Sequence, residues 1–264
     1  MRKLLMLTSL ALGALFITGV ASAEEEETPN PGLFGTTILE GWNRFVGVGV
    51  SGANGNTKEV KLVADLNGDF EDTKHRRKLI SQLYIAKPDN PTGPGNKAPV
   101  DRKAFVEYEE NWKPLENSLF IFGTGRYDYG RLEEFKERIA ASAGIGVNVL
   151  KTDSITARLS AGAGFNHNWN GIDKKETFPE GVVRASLDYK VMKGVSFSTT
   201  HTYYPNLDET KELRVISNAE IKADIGQEGG LSASIGLNNQ YDSIVEAPFE
   251  DNNLTYFMRL GYDF

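Results

Sequence analysis

The chain has 264 residues, 40% of them hydrophobic and 25% charged, with 29 Lys and Arg against 36 Asp and Glu. That acidic balance excludes a surface built for nucleic acid, whose phosphates demand basic residues. The lack of cysteine excludes a disulfide scaffold, a thiolate metal centre and a lipid-anchored lipoprotein.

At the N-terminus, Arg2 and Lys3 precede an apolar run from Leu4 to Val20, and the run closes on Ala21-Ser22-Ala23. This is the pattern of a cleaved export signal over residues 1–23. Its removal takes two cations from 29, leaving 27 basic against 36 acidic residues and a net charge of −9. Residues 24–40, EEEETPNPGLFGTTILE, are acidic and then rich in Pro and Gly, and read as a flexible lead. No later run of about 18 apolar residues exists to make a membrane-spanning helix.

Over residues 41–264 the apolar pattern has period two almost throughout, the mark of strands with two different faces. The clearest stretch sets Ile139, Ala141, Ala143, Ile145, Val147 and Val149 against Arg138, Ala140, Ser142, Gly144, Gly146 and Asn148. Twelve strands are predicted, at 42–52, 58–70, 75–86, 102–113, 117–129, 136–149, 153–166, 180–191, 194–204, 212–225, 230–242 and 253–264. The third and fourth are the least clean. Each is long enough to cross a bilayer, which takes about 9–11 tilted residues, whereas strands of soluble domains average about 5–6.

The connections sort by length. With the N-terminus on the periplasmic side, the near turns are 71–74, 114–116, 150–152, 192–193 and 226–229. Every long connection, including 87–101 and 167–179, falls on the far side. Outer-membrane barrels have this asymmetry, and a soluble sandwich has no reason for it. The outward parity also sorts aromatics to the strand ends. Trp42, Phe70, Trp112, Tyr189, Phe197, Tyr262 and Phe264 form a periplasmic belt, and Tyr127, Tyr129, Phe165, Tyr203, Tyr241 and Tyr256 an outer one. The predicted fold is therefore all-β, a twelve-stranded up-and-down transmembrane barrel in contact with outer-membrane lipid.

Candidate chemistry is sparse. SGANGNT at 51–57 lacks the Gly-Lys-Ser/Thr ending of a phosphate loop and lies between strands, so it reads as a turn. His75, His167 and His201 have no helical i, i+4 spacing and no carboxylate cluster, so no metal and no cofactor is expected. His201 has lipid-facing parity near the outer rim. Its context, THTYYPN, lacks the Tyr-Thr-His-x-Ser-Asn-Gly motif of the outer-membrane phospholipase, and a girdle histidine beside Tyr203 is the preferred reading. Ser217 has the matching parity one strand away, and a lipid-active hydrolase around His201 is the alternative. A surface-binding module using loops 87–101 and 167–179, with Trp169 as a contact, is a third reading.

The inward parity is more informative. It carries Lys61, Lys103, Arg126, Arg138, Arg158, Arg184, Lys190, Arg214, Lys222 and Arg259. Against them stand Asp65, Asp69, Glu107, Glu109, Asp128, Glu180, Asp188, Glu220, Asp224, Asp242 and Asp263. A strongly selective pore would carry a one-sided ring of charge. This near balance predicts ion pairs across the lumen, with Arg126 and Asp128 facing Arg138 as the candidate constriction. Arg158→Ala or Arg138→Ala is then expected to raise conductance.

Three segments resemble a known family. GWNRFVGVGVSGANGNTKEV, with Gly55-Asn56-Thr57, is similar to its N-terminal signature. RYDYGRLEEFKERIAASAGIGV, with Arg126, Asp128, Arg138, Gly144 and Gly146, is similar to its central stretch, and YDSIVEAPFEDNNLTYFMRLGYDF to its close. The family is domain-of-unknown-function family 481, which includes the salt-stress-induced outer-membrane protein. The resemblance covers about residues 41–264 and implies an outer-membrane barrel of undefined biochemical activity. It supplies no catalytic residues. The favoured reading of the whole chain is a barrel of the Gram-negative outer membrane with a structural, envelope-stress or narrow-pore role, passive rather than catalytic. The terminal Phe264 resembles the aromatic end that the barrel-assembly machinery reads.

Overall fold

The computed structural model describes residues 41–54, 60–86, 101–113, 118–130, 137–169, 177–209, 212–225, 230–243 and 251–264. The export signal, the acidic lead and most of the long far-side connections therefore lie outside the described residues.

Twelve strands run in chain order: β1 (Asn43–Asn54), β2 (Val60–Glu71), β3 (His75–Ala86), β4 (Asp101–Trp112), β5 (Leu119–Gly130) and β6 (Glu137–Lys151), then β7 (Ile155–Trp169), β8 (Thr177–Met192), β9 (Val195–Pro205), β10 (Leu213–Asp224), β11 (Leu231–Asp242) and β12 (Asn252–Asp263). Each pairs antiparallel with its sequence neighbours, and β1 pairs with β12, so the sheet is a closed barrel with no free edge. Closure satisfies every strand within the ring, which is what allows a sheet to stand in hydrocarbon.

The alternation predicted from sequence sets the two walls. Val46, Val48 and Val50 on β1 are exposed, as are Met258, Leu260 and Tyr262 on β12. Lys61, Val63 and Asp65 on β2 are buried, as are Asp128 on β5 and Arg259 on β12. Apolar side chains thus face outward and most charges inward, the inverse of a soluble protein and the arrangement lipid requires.

Two bulges interrupt the alternation near the periplasmic rim, between Asn148 and Leu150 on β6 and between Lys190 and Met192 on β8. An extra residue lets two neighbours face the same way. Val149 and Leu150 are accordingly both exposed, and so are Val191 and Met192. This is why β6 and β8 run past 149 and 191, where strict period two ends.

The near turn after β2 is held by Asp72, whose Oδ1 accepts the N–H groups of Lys74 at 2.7 Å and His75 at 2.5 Å. Slight desolvation works to raise the Asp72 carboxyl, but the two N–H donors outweigh it and hold it below the ordinary carboxylate range.

Candidate functional site: a lumen laced with ion pairs

Inward-facing charges meet in three tiers. Toward the outer rim, Arg214 of β10 donates to Glu180 of β8 at 3.1 Å, and Arg138 of β6 donates from Nε to Asn168 Oδ1 at 2.9 Å. In the middle, Arg126 grips Asp128 with Nε at 2.9 Å and Nη2 at 2.7 Å, and reaches Glu107 of β4 with Nη1 at 2.8 Å. On the opposite wall Arg259 bridges Asp65 of β2 at 2.9 Å and Glu220 of β10 at 2.6 Å. Toward the periplasm, Arg158 pairs with Asp188 at 2.6 Å and Lys222 with Asp263 at 2.5 Å.

Further contacts span the lumen rather than following its wall. Arg184 of β8 donates from Nη1 to Glu109 Oε2 of β4, four strands away around the ring. Arg76 of β3 lies 3.7 Å from Asp188 of β8, five strands away. Asn111 donates to Glu109 at 2.7 Å and Thr202 accepts from Arg184 Nε at 3.2 Å, so both ends of the first bridge are also fixed to their own walls. Between the outer and middle tiers the packing leaves a small cavity of about 20 Å³, lined by Glu107, Arg126, Glu180, Arg184, Tyr204 and Arg214 among others.

Aromatic rings complete the lumen. The guanidinium of Arg126 lies 4.0 Å from the Phe105 ring centre, that of Arg259 4.1 Å from Phe257, and that of Arg214 4.4 Å from Tyr204. Each of these arginines therefore has a carboxylate on one side and a π-face on the other. Inward glycines make room for inward phenylalanines. A Cβ on Gly146 would run into the Phe120 ring, and one on Gly236 into Phe257. Phe120 and Phe122 are buried in consequence.

The predicted constriction residues are distributed over this network. Arg126 and Asp128 form one unit, and Asp128 stands opposite Arg138 in the β5–β6 register. Arg158, Arg184 and Arg214 belong to separate pairs, and Glu220 and Arg259 pair with each other. Sequence reading missed Arg76 and Lys78; Lys78 faces Asp69 and Glu109 in register. It also missed the rings of Phe45, Phe105, Phe120, Phe122 and Phe257. The period-two parity that placed Arg126 inward also carried Phe120 and Phe122, and Gly144 and Gly146 beside them were the signal of rings needing room.

On the outer wall, Trp112, Tyr189, Phe165, Tyr203, Tyr256, Tyr262 and Phe264 are exposed, while Tyr127, Tyr129 and Tyr241 are half-buried. Trp42 departs from its expected lipid-facing place, being only 8% exposed. It precedes β1, which begins at Asn43, and follows Gly41 at φ 77°, so strand alternation does not govern it. Trp169 is exposed and meets His167 edge to face at 4.3 Å. Loop 87–101 lies almost wholly outside the described residues. His201 Nδ1 is 2.9 Å from Ser217 Oγ on the outer wall. Among the described residues, no three His, Asp or Glu side chains gather as a metal-ligand group.

The fold is similar to that of solved outer-membrane porins. The NanC porin superposes with a TM-score of 0.53 at 8% identity, over 82% of this chain and 98% of that one. The KdgM porin gives 0.49 at 11% identity over 83% and 99%, and an anion-selective porin from Comamonas acidovorans 0.41 at 6% over 84% and 99%. No curated protein matches the chain. The family model described as "Protein of unknown function, DUF481" aligns with residues 46–264, from within β1 to the last residue. By that match over the whole barrel, the chain belongs to the DUF481 family.

Proposed function

We propose that the chain is a passive barrel of the Gram-negative outer membrane, a narrow pore for ions or small solutes that its own ion pairs hold nearly closed. The observation that carries this reading is the bridge from Arg184 to Glu109 across the lumen. Charges that pair with each other across a pore occupy the path a solute would take. The inward charges are of both signs, which favours weak ion selectivity. Export through the N-terminal signal, insertion by the barrel-assembly machinery and an envelope-stress role belong to this reading.

Reconstitution of the purified protein in planar bilayers tests it. Small, weakly selective conductance steps are expected, with a reversal potential near zero in a salt gradient. Large steps typical of a water-filled porin, or strong selectivity for one sign, would overturn the reading.

A further inference from the structure

The outer wall of β9, β10 and β11 holds a polar row where lipid contact calls for apolar side chains. In the strand register His201 stands opposite Ser217, and Ser217 stands opposite Asn239. All three share the outward parity of Ile221 and Leu237, which are exposed. Polar side chains facing hydrocarbon are costly and mark function when they occur together. The row lies one outward position in from Tyr203 and Tyr241. At about 3.3 Å per residue and a strand tilt of roughly 40°, that is about 5 Å toward the membrane centre. Acyl-ester linkages of outer-leaflet lipid lie at such a depth, just beneath the interfacial rings.

The hydrogen bonds determine which way the protons point. Thr199 Oγ1 donates to the carbonyl oxygen of Asn218 at 2.8 Å, which commits its only proton. Its contact with His201 Nε2 at 3.3 Å must then be received by the hydroxyl, so Nε2 carries the N–H. In the neutral ring Nδ1 is left as an acceptor, and the 2.9 Å contact makes Ser217 its donor. A hydroxyl donating to an imidazole, itself oriented by a third group, is the arrangement of an activated nucleophile.

We propose that Ser217 and His201 form a lipid-facing acyl-hydrolase site, with Thr199 as positioning residue and the Asn239 amide as donor to the developing oxyanion. Ser217 Oγ attacks the ester carbonyl carbon and its proton passes to His201 Nδ1. The ester C–O bond breaks, the leaving alcohol takes that proton, and the acyl group stays on Ser217. Water from the headgroup layer then attacks the acyl carbon, gives its proton to His201, and releases a carboxylic acid as Ser217 is reprotonated. The site is on the outer wall and independent of the lumen.

The test is fatty-acid release from phosphatidylethanolamine vesicles by the full chain purified in detergent, with labelling by a fluorophosphonate probe located by mass spectrometry. The wild type is expected to release fatty acid and to be labelled at Ser217. Ser217→Ala should abolish both, and His201→Ala should lower the rate about 100-fold or more. Thr199→Val should lower kcat with KM unchanged, and Thr199→Ser should restore it. Heat-modifiable migration in gels confirms that each variant is folded. Wild-type release no greater than that of folded Ser217→Ala, or an unchanged rate in folded His201→Ala, would overturn the proposal.

Discussion

Arg44 and Phe264 exchange both of their backbone hydrogen bonds, at 3.0 and 2.9 Å, and the Arg44 guanidinium lies 4.7 Å from the centre of the Phe264 ring. The last residue of the chain is thus the end of the β1–β12 seam. Deleting Phe264 removes both bonds and the ring contact at once. The expected result is a fall in the heat-modifiable, membrane-inserted fraction with total synthesis unchanged. Phe264→Ala, which keeps the backbone bonds, should be the milder variant.

Among the described residues, Arg259 and Asp65 are the most enclosed ion pair of the lumen, with side chains 4% and 0% exposed. Removing one member of a buried pair leaves a charge without its counterion, at a cost of about 3–5 kcal/mol. Arg259→Ala is therefore expected to lower stability by about that amount, and adding Asp65→Ala should recover part of it. Urea unfolding of the refolded barrel measures both.

Gly146 and Phe120 stand opposite each other in the β5–β6 register, and the Phe120 ring fills the space over the glycine. Gly146→Val should be strongly destabilising, because the new side chain occupies the place of the Phe120 ring. Phe120→Ala vacates that place. The double variant should be more stable than the sum of the single effects predicts, with a coupling of about 1 kcal/mol or more in a double-mutant cycle.

Asp72 offers a pH test outside the membrane. Its carboxyl is held below the ordinary range, so its contribution is present above the unfolded value of about 3.9 and is lost as pH falls through the folded value. Asp72→Asn keeps an acceptor for the turn and removes the titration. Wild type is expected to be more stable than the variant at neutral pH, with the gap closing in acid. Unfolding midpoints across a pH series check this.

Much of the barrel was legible in the sequence because period two is a property of each strand by itself. Ile139 and Arg138 declare opposite walls wherever their strand is placed. Strand ends shifted by only a few residues, most at the outer ends of β7 and β8, at Trp169 and Thr177, and less where the bulges at Asn148/Leu150 and Lys190/Met192 break the period. The pattern on β3 was weaker because Ile80 and Tyr84 are apolar yet share the parity of Arg76 and Lys78, so neither face reads as lumen. Partnership across the lumen was not legible at all. Alternation says that Arg184 points inward, but only the curvature and stagger of the closed sheet decide that Glu109 waits four strands away. The same limit held on the outer wall, where parity matched Ser217 to His201 but only register placed them side by side.

The central claim is that the bridge between Arg184 and Glu109 narrows the lumen, and single-channel conductance of the Arg184→Ala/Glu109→Ala double variant tests it most directly. Removing both partners leaves no unpaired charge behind. The account predicts conductance steps several-fold larger than those of the wild type, with folding unchanged by heat-modifiable migration. Steps of unchanged size from the folded double variant would contradict it.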